Sequence, residues 1–219
     1  FPQIQWYLDE PDSNPSCVPL FFLSQLAAQD VKCVLSGEGA DELFAGYIDY
    51  GVHTTSKAIK TVTRWLGHLP ARARHAIAHW AKGKTFHGAM HLYENLAPAR
   101  ESFIGQARVF SEKEADRLLK PDYRQAPSVQ EIVDEYYDRI DDQPISELKK
   151  KQYLDMHKWM PGDILLKADK MTMAHSLELR VPLLDKELMS VAEQVPTKYL
   201  INDENTKFAF RQAAGRHLP

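Results

Sequence analysis

The sequence predicts an α/β fold, a doubly wound parallel sheet of which this chain supplies a mostly helical part. Residues 31–35 form a short, mostly apolar run, which is typical of a buried parallel strand. Apolar side chains recur at helical spacing before this run, over 16–27, and after it, from Asp41. A helix, a strand and a helix in this order form the α-β-α unit of doubly wound sheets.

Composition gives no indication of binding to nucleic acid or to membranes. The 219 residues include 27 Lys and Arg and 30 Asp and Glu, a formal net charge of −3, so charge gives no reason to expect nucleic acid or a membrane surface. The longest apolar stretches, such as 18–26, are far shorter than the ~20 residues of a membrane span. We therefore expect a soluble protein.

Cysteine use and the chain ends indicate the compartment. Cys17 and Cys33 lie in apolar contexts, which favours buried thiols of a reducing compartment over a disulfide framework. The first residues contain neither a basic region nor a cleavable apolar region of a secretion signal. We expect a cytoplasmic protein. The missing initiator methionine and a last residue directly after a helical pattern suggest part of a longer chain.

The first elements lead to a loop rich in small and acidic residues. Turn residues over 9–15 end the first segment, and Ser16 is placed to cap the helix that follows. After the strand, residues 36–47 form a strand-loop-helix junction, and ligands of open α/β sheets bind at the carboxyl ends of the strands. Small residues there let backbone N–H groups approach an anion.

Three carboxylates, of Glu38, Asp41 and Glu42, belong to the same turn. Carboxylates beside a phosphate-accepting loop repel the phosphate unless a divalent cation lies between them, so the composition indicates a magnesium-nucleotide site. The alternative is an ordinary helix start, because acidic residues favour a first turn and glycines favour turns. Spacing alone leaves both interpretations open.

Helices dominate the rest of the chain. Two short helices are predicted over 61–69 and 72–81, separated by Pro70, and Ser111 with Glu114 forms a capping box for another. The clearest helix covers 128–141, where Ser128 and Glu131 make a capping box. The pattern then continues over 146–160, where Lys149, Lys150 and Lys151 are interpreted as a solvated face, and Pro161-Gly162 is expected to break it.

A second informative block covers 162–185. Asp163 is placed to cap a helix, and the following apolar run contains the charged residues Glu178, Arg180 and Asp185. Buried charges of opposite sign need to pair, so a salt-bridge network is favoured over direct catalysis. Asp185 can also cap a helix that ends before Pro196.

Lys207 is predicted in the first turn of the last helix. A cation there is opposed by the helix dipole, and an anion bound jointly by the helix N-terminus and the ammonium group would explain its position. The alternative is a side chain bent out to solvent.

Both blocks match known signatures. Residues 36–47, SGEGADELFAGY, resemble the SGEGADELFGGY signature of the asparagine synthetase family, with Ala45 in place of a glycine. Residues 162–185 resemble the family's second signature, D-R/K-M-x-M-A followed by E-x-R-V-P-F/L-L-D, with Lys170 where arginine is more common. The two matches lie in the family's order. The resemblance implies part of an adenine-nucleotide α-hydrolase-like (PP-loop ATPase) synthase domain over 1–219, with a helical insertion at about 53–127.

The resemblance also implies a reaction and residue roles. Family members use ATP and Mg²⁺ to convert aspartate to a β-aspartyl-adenylate, which ammonia from glutamine attacks. A homodimer is one possible state of association. By matched position the nucleotide is bound by Ser36, Gly37 and Gly39, the catalytic residues are Glu38 and Lys207, and Asp41 carries Mg²⁺.

Two family parts have no match in the sequence, the S-G-G-x-D-S pyrophosphate loop and the N-terminal glutaminase domain with its terminal cysteine. We therefore expect the 219 residues alone neither to hydrolyse glutamine nor to form the adenylate. Two other functions stay open: a sister adenylate-forming enzyme, such as a β-lactam synthetase or a lasso-peptide cyclase, and a non-catalytic binding or scaffold domain. A sister enzyme would alter the 36–39 loop, and a scaffold would tolerate loss of Asp41 and Lys207.

Overall fold

The computed structural model describes residues 1–10, 12, 14–50, 57–86, 88–106, 110, 112–124, 127–202 and 205–218. The helices in this part of the chain are α1 (Pro2–Leu8), α2 (Cys17–Ala27), α3 (Ala40–Phe44), α4 (Lys57–Gly67), α5 (Ala71–Ala81), α6 (Ala89–Leu96), α7 (Ala99–Ser102), α8 (Glu112–Leu118), α9 (Val129–Tyr137), α10 (Glu147–His157), α11 (Leu165–Met173), α12 (Lys186–Gln194), α13 (Thr197–Leu200) and α14 (Phe208–Ala214). The strands are β1 (Cys33–Leu35) and β2 (Glu178–Arg180).

The chain forms two compact units. The first contains Phe1–Gly46, Asp155–Leu200 and Lys207–Pro219, and the second contains Tyr47–Leu154 and Ile201–Thr206. In the first unit, α1, α2 and α11 pack around one apolar cluster. The buried members of that cluster are Ile4, Leu8, Cys17, Phe21 and Met171. α11 also contacts β2.

The sheet confirms the α/β class, but the strand differs from the prediction. β1 pairs in parallel with β2, with Val34 opposite Leu179, and it begins at Cys33 rather than at residue 31. The expected burial is wrong, because Leu35 is 73% exposed. Within the described residues only β2 flanks β1, so the strand is not enclosed as it would be in a larger sheet.

Cys17 is buried as expected, but Cys33 on β1 is exposed, so the prediction of two buried thiols is wrong for Cys33. Ser16 does precede α2, yet its hydroxyl donates to Asn14 Oδ1 at 2.7 Å and makes no cap hydrogen bond to the helix.

No helix in the described part of the chain is long and apolar enough to cross a membrane.

The sequence predicted that Pro161-Gly162 breaks the helix, and this prediction is wrong. The two residues lie in a π-helical turn, Met160–Ile164, which leads directly into α11. The Gly162 N–H donates to the Lys158 carbonyl at 3.0 Å, so the backbone stays hydrogen-bonded where proline removes a donor. Such wide turns inside helices are frequent at functional sites.

In the second unit, α5 and α6 pack closely and α4 contacts α6. The shared core consists of Ala78, Tyr93, Leu96 and Ala97. The two predicted helices on either side of Pro70 are confirmed as α4 and α5. Ser111, the first half of one predicted capping box, lies outside the described residues.

The capping box at Ser128 is confirmed. The Ser128 hydroxyl accepts from the Glu131 N–H at 3.1 Å, and Glu131 accepts from the Ser128 N–H at 3.3 Å.

The prediction that Lys149, Lys150 and Lys151 of α10 form a solvated face is wrong. Lys151 is buried, and the largely buried Lys150 ammonium binds Asp141 Oδ1 at 3.0 Å. Tertiary packing of the second unit overrides the local charge pattern.

Arg100 on α7 joins three carboxylates of the second unit. It donates to Asp134 Oδ1 and Asp141 Oδ2, each at 2.8 Å, and to Asp138. The Arg100 hydrogen bond, together with one from Gln130, lowers the pKa of Asp134. Five donors in a planar fork allow one guanidinium group to satisfy several carboxylates.

We expect this cluster to make the second unit sensitive to acid. A carboxyl group with a lowered folded-state pKa contributes stability above its unfolded pKa, about 4, and loses that contribution as the pH falls through the folded value. Asp134→Asn should therefore lower the melting temperature at pH 7 and lose this effect as the pH falls through the lowered pKa of Asp134. Melting curves from pH 2.5 to 7 test this against Asp122→Asn, an exposed control. A constant melting-temperature difference across that range would contradict the prediction.

Candidate functional site

The loop after β1 is held by backbone and side-chain hydrogen bonds. The Ser36 N–H donates to the Arg180 carbonyl at 2.9 Å, which extends the pairing with β2 by one residue. The Ser36 hydroxyl accepts from the Glu38 N–H at 3.3 Å. The predicted strand-loop-helix junction is confirmed, because α3 begins directly after Gly39.

Glycines fit this loop for two different reasons. Gly39 has φ of +93° and precedes α3, and a Cβ at this position would collide with Leu184. A side chain there would therefore meet both backbone strain and a steric clash. Gly37 has open space around the position of a Cβ, which is suitable for close approach of a ligand to the backbone.

Ala45 is the position at which the loop departs from the family signature. It has φ of 56° and is fully buried, so a non-glycine residue occupies the left-handed region in which glycine is favoured. The next residue, Gly46, leaves room for the Asp41 carboxylate, which a Cβ would strike. The Gly46 N–H also donates to the Asp41 carbonyl at 2.7 Å.

Asp41 and Lys207 meet directly although 166 positions separate them. The Lys207 ammonium donates to Asp41 Oδ1 at 2.9 Å, and the two side chains are 21% and 37% exposed. The helix predicted to contain Lys207 begins one residue later, at Phe208. Lys207 is its N-cap with φ of 53°, a strained backbone that places the residue beside the loop. The ammonium does not bend out to solvent.

Glu38 and Glu42 differ in environment. Glu42 is buried, so it does not share the open turn with the other two carboxylates as the composition suggested. Glu38 lines a groove of about 640 Å³ together with residues of α2 and with Lys167. Burial, opposed by Lys167, raises the pKa of Glu38, and the charges of Asp41 and Asp163 raise it further. A carboxylate with a raised pKa is a better proton acceptor.

Asp163 and Lys167 are site residues that the role assignments missed. Asp163 does not cap a helix as predicted; it lies in the π-helical turn and accepts from Asn14 Nδ2 at 2.7 Å. The Lys167 Nζ lies 3.6 Å from Asp163 Oδ1, and burial raises the pKa of Asp163. Their i,i+4 spacing in the second block is the signal that could have paired them.

The charges after α11 pair only in part. Arg180 Nε donates to Glu178 Oε1 at 2.9 Å, but both side chains are exposed, so the expected buried network is wrong for this pair. An exposed pair of this kind contributes little stability. Asp185 caps α12 as predicted, accepting from the backbone of Glu187 and Leu188. Neither role places these residues at the groove.

Comparison with known proteins identifies the family. A family model described as asparagine synthase matches residues 1–219, which is the whole chain. The chain belongs to the asparagine synthase family. This confirms the resemblance of the two signature blocks, and no solved structure gives a significant match.

Curated relatives of this chain include two at 37% identity over its full length. They are asparagine synthetase (glutamine-hydrolyzing) 1 of Bacillus subtilis, over 218 residues, and a putative asparagine synthetase (glutamine-hydrolyzing) of Mycobacterium bovis, over 221 residues. A Methanocaldococcus jannaschii protein with a similar name is 26% identical over 121 residues, 53% of this chain and 21% of its own length. The chain spans about a third of the length of the first two relatives, 33% and 32%.

The acidic side of the candidate site fits Mg²⁺ only together with a nucleotide. Among the described residues, no group of three or more His, Cys, Asp and Glu could hold a metal ion. Nucleotide-bound Mg²⁺ keeps several waters and takes only one or two carboxylates beside the phosphates, so a complete protein cage is not required. Asp41 is exposed enough to supply one such carboxylate.

Proposed function

We propose that the natural full-length protein is a glutamine-hydrolysing asparagine synthetase. It is a ligase of asparagine biosynthesis that uses ATP, aspartate and ammonia from glutamine, and it works in the cytoplasm. The observation that carries the proposal is the contact between Asp41 and Lys207 at 2.9 Å. It joins the first signature block to the start of the last helix. By their match to the family's residues, Asp41 would carry Mg²⁺ and Lys207 would face the phosphates.

The fold that we propose is the adenine-nucleotide α-hydrolase-like (PP-loop ATPase) domain, with the second unit containing a helical insertion at about 53–127. Two features support it. β1 and β2 are parallel, as in doubly wound sheets. The glycine-rich loop lies at the carboxyl end of β1, the position where nucleotides bind in such sheets.

In the proposed reaction, the β-carboxylate of aspartate attacks the α-phosphate of ATP. This step forms β-aspartyl-adenylate and releases pyrophosphate. Ammonia then attacks the acyl carbon, AMP departs, and the added nitrogen loses a proton to give asparagine. The protein must neutralise charge, align the reacting atoms and keep water away from the adenylate.

Each residue of the candidate site has one task in this scheme. The backbone of Ser36, Gly37 and Gly39 binds the nucleotide, and the Lys207 ammonium stabilises negative charge on the departing pyrophosphate. Glu38 accepts the proton from the incoming ammonia, for which its raised pKa is suited. Mg²⁺ held at Asp41 would supply further charge neutralisation at the phosphates.

The first experiment is exchange of labelled pyrophosphate into ATP, because it reports adenylate formation before any nitrogen chemistry. We expect the natural full-length protein to catalyse exchange that requires both aspartate and Mg²⁺, and the isolated 219 residues to catalyse none. Exchange dependent on a different carboxylic acid would indicate a sister adenylate-forming enzyme. Binding of Mg²⁺-ATP without exchange for any acid would indicate a binding domain. Exchange by the isolated chain would refute its predicted inactivity.

A further inference from the structure

Lys167 is a buried cation at the groove that contains Glu38. Its side chain is 8% exposed, and within the described residues its ammonium has one carboxylate partner, Asp163 Oδ1, at 3.6 Å. That separation is longer than a hydrogen bond, and a lysine ammonium has three donors. A buried charge needs close hydrogen-bonding partners, so this group is prepared to bind an anion.

Asp163 offers the complementary charge. Its side chain is 16% exposed, and both of its contacts in the described part of the chain use Oδ1: the hydrogen bond from Asn14 and the approach of Lys167. The second oxygen, Oδ2, has no hydrogen-bond partner among the described residues. The Asn14 hydrogen bond fixes the carboxylate, because it ties the π-helical turn to the segment before α2.

From this geometry we infer that Lys167 and Asp163 bind the α-carboxylate and the α-ammonium group of the amino acid substrate. A fixed anion beside a fixed cation matches the two opposite charges that every α-amino acid carries. The groove of about 640 Å³ has room for a dicarboxylic amino acid, and Glu38 lines the same groove as Lys167. The inference rests on the proposed function, because aspartate is the substrate assigned there.

Anchoring the α-groups would leave the β-carboxylate as the end of aspartate that reacts. The two α-groups are held by α11 and the turn before it, whereas the nucleotide loop follows β1. Lys167 and Asp163 would also determine substrate specificity. A substrate that lacks the α-carboxylate or the α-ammonium group would leave one of these two buried side chains unpaired.

Two aspartate analogues separate the two contacts. β-Alanine lacks only the α-carboxylate, and succinate lacks only the α-amino group; both retain the carboxylate that is activated. The assay is pyrophosphate exchange by the natural full-length protein, and the quantity is kcat/KM for aspartate divided by kcat/KM for each analogue. The wild-type protein should prefer aspartate over both.

We expect Lys167→Met to lower the preference for aspartate over β-alanine about 10- to 100-fold and to keep the preference over succinate. Asp163→Asn should do the reverse. The KM for ATP should change little in both variants. Lys170→Met, on the same helix but paired with Asp9, is the matched control and should change neither preference.

The outcomes distinguish the inference from the proposed function. Wild-type protein without aspartate-dependent exchange would refute the proposed function. Wild-type exchange with unchanged preferences in both variants, or with both preferences lowered equally, would overturn the inference alone. Melting temperatures check folding, and if Lys167→Met does not fold, the succinate preference of Asp163→Asn decides the question.

Discussion

Asparagine formation should fall about 10²- to 10⁴-fold in Glu38→Gln, while aspartate-dependent pyrophosphate exchange stays near the wild-type rate. The amide is nearly isosteric with the carboxylate but cannot accept a proton, and general base catalysis contributes a factor of this size. Exchange requires adenylate formation only, whereas synthesis also requires deprotonation of the attacking nitrogen. Comparing the two rates therefore assigns Glu38 to one half of the reaction.

The pH dependence gives a second readout of the same assignment. Burial raises the pKa of Glu38, so the ionised form that accepts a proton is lost at a higher pH than for an ordinary glutamate, whose pKa is about 4.3. The wild-type synthesis rate should rise with pH through this raised value, and that acidic limb should disappear in Glu38→Gln. Ammonia, rather than glutamine, should be used as the nitrogen source so that glutaminase chemistry does not contribute. The rates should be expressed per concentration of unprotonated NH3, because ammonium itself loses its proton as the pH rises.

Glu193→Gln is the matched control, because Glu193 is an exposed carboxylate on α12 in the same unit. It should change neither rate. Equal loss of exchange and synthesis in Glu38→Gln would contradict the assignment, and would place Glu38 in formation of the adenylate instead.

Local signals in the sequence predicted much of the architecture. Pro70 separates two helices because it cannot continue the first, and Ser128 with Glu131 starts a helix through reciprocal hydrogen bonds. The glycine-rich loop after β1 was also predictable, because its small residues follow an apolar run. These features depend on neighbours within a few positions, which sequence patterns report directly.

Two of the errors arise from contacts between distant residues. Lys151 is buried because its ammonium approaches the Asp49 carbonyl, at 3.4 Å, and the ring of Phe103. Similarly, Asp163 accepts from Asn14, 149 positions earlier, instead of capping a helix. The family resemblance placed Asp41 and Lys207 in one site by function. Their direct contact follows only from the tertiary structure, which brings the start of α14 to α3.

Lys207→Met is expected to lower aspartate-dependent exchange by about 10²- to 10³-fold, the usual effect of removing one donor that stabilises developing negative charge. Lys207→Met also keeps a non-glycine residue in a strained backbone, so a second variant is needed to separate the loss of charge from the backbone. Lys207 has φ of 53°, a conformation that glycine adopts without penalty. Lys207→Gly should therefore lose exchange to the same extent without a fall in melting temperature.

Replacing Asp41, the partner of Lys207, should change the Mg²⁺ requirement, which replacing Lys207 should not. Asp41→Asn keeps the shape of the side chain but removes its charge, so we expect exchange to fall by orders of magnitude and the required Mg²⁺ concentration to rise. Lys207→Met should leave the Mg²⁺ requirement unchanged, since the lysine is not a ligand. Lys186→Met, an exposed lysine on α12, serves as the control for loss of positive charge. If both pair variants retain exchange while their melting temperatures fall, the contact between Asp41 and Lys207 is structural and the proposed phosphate role is wrong.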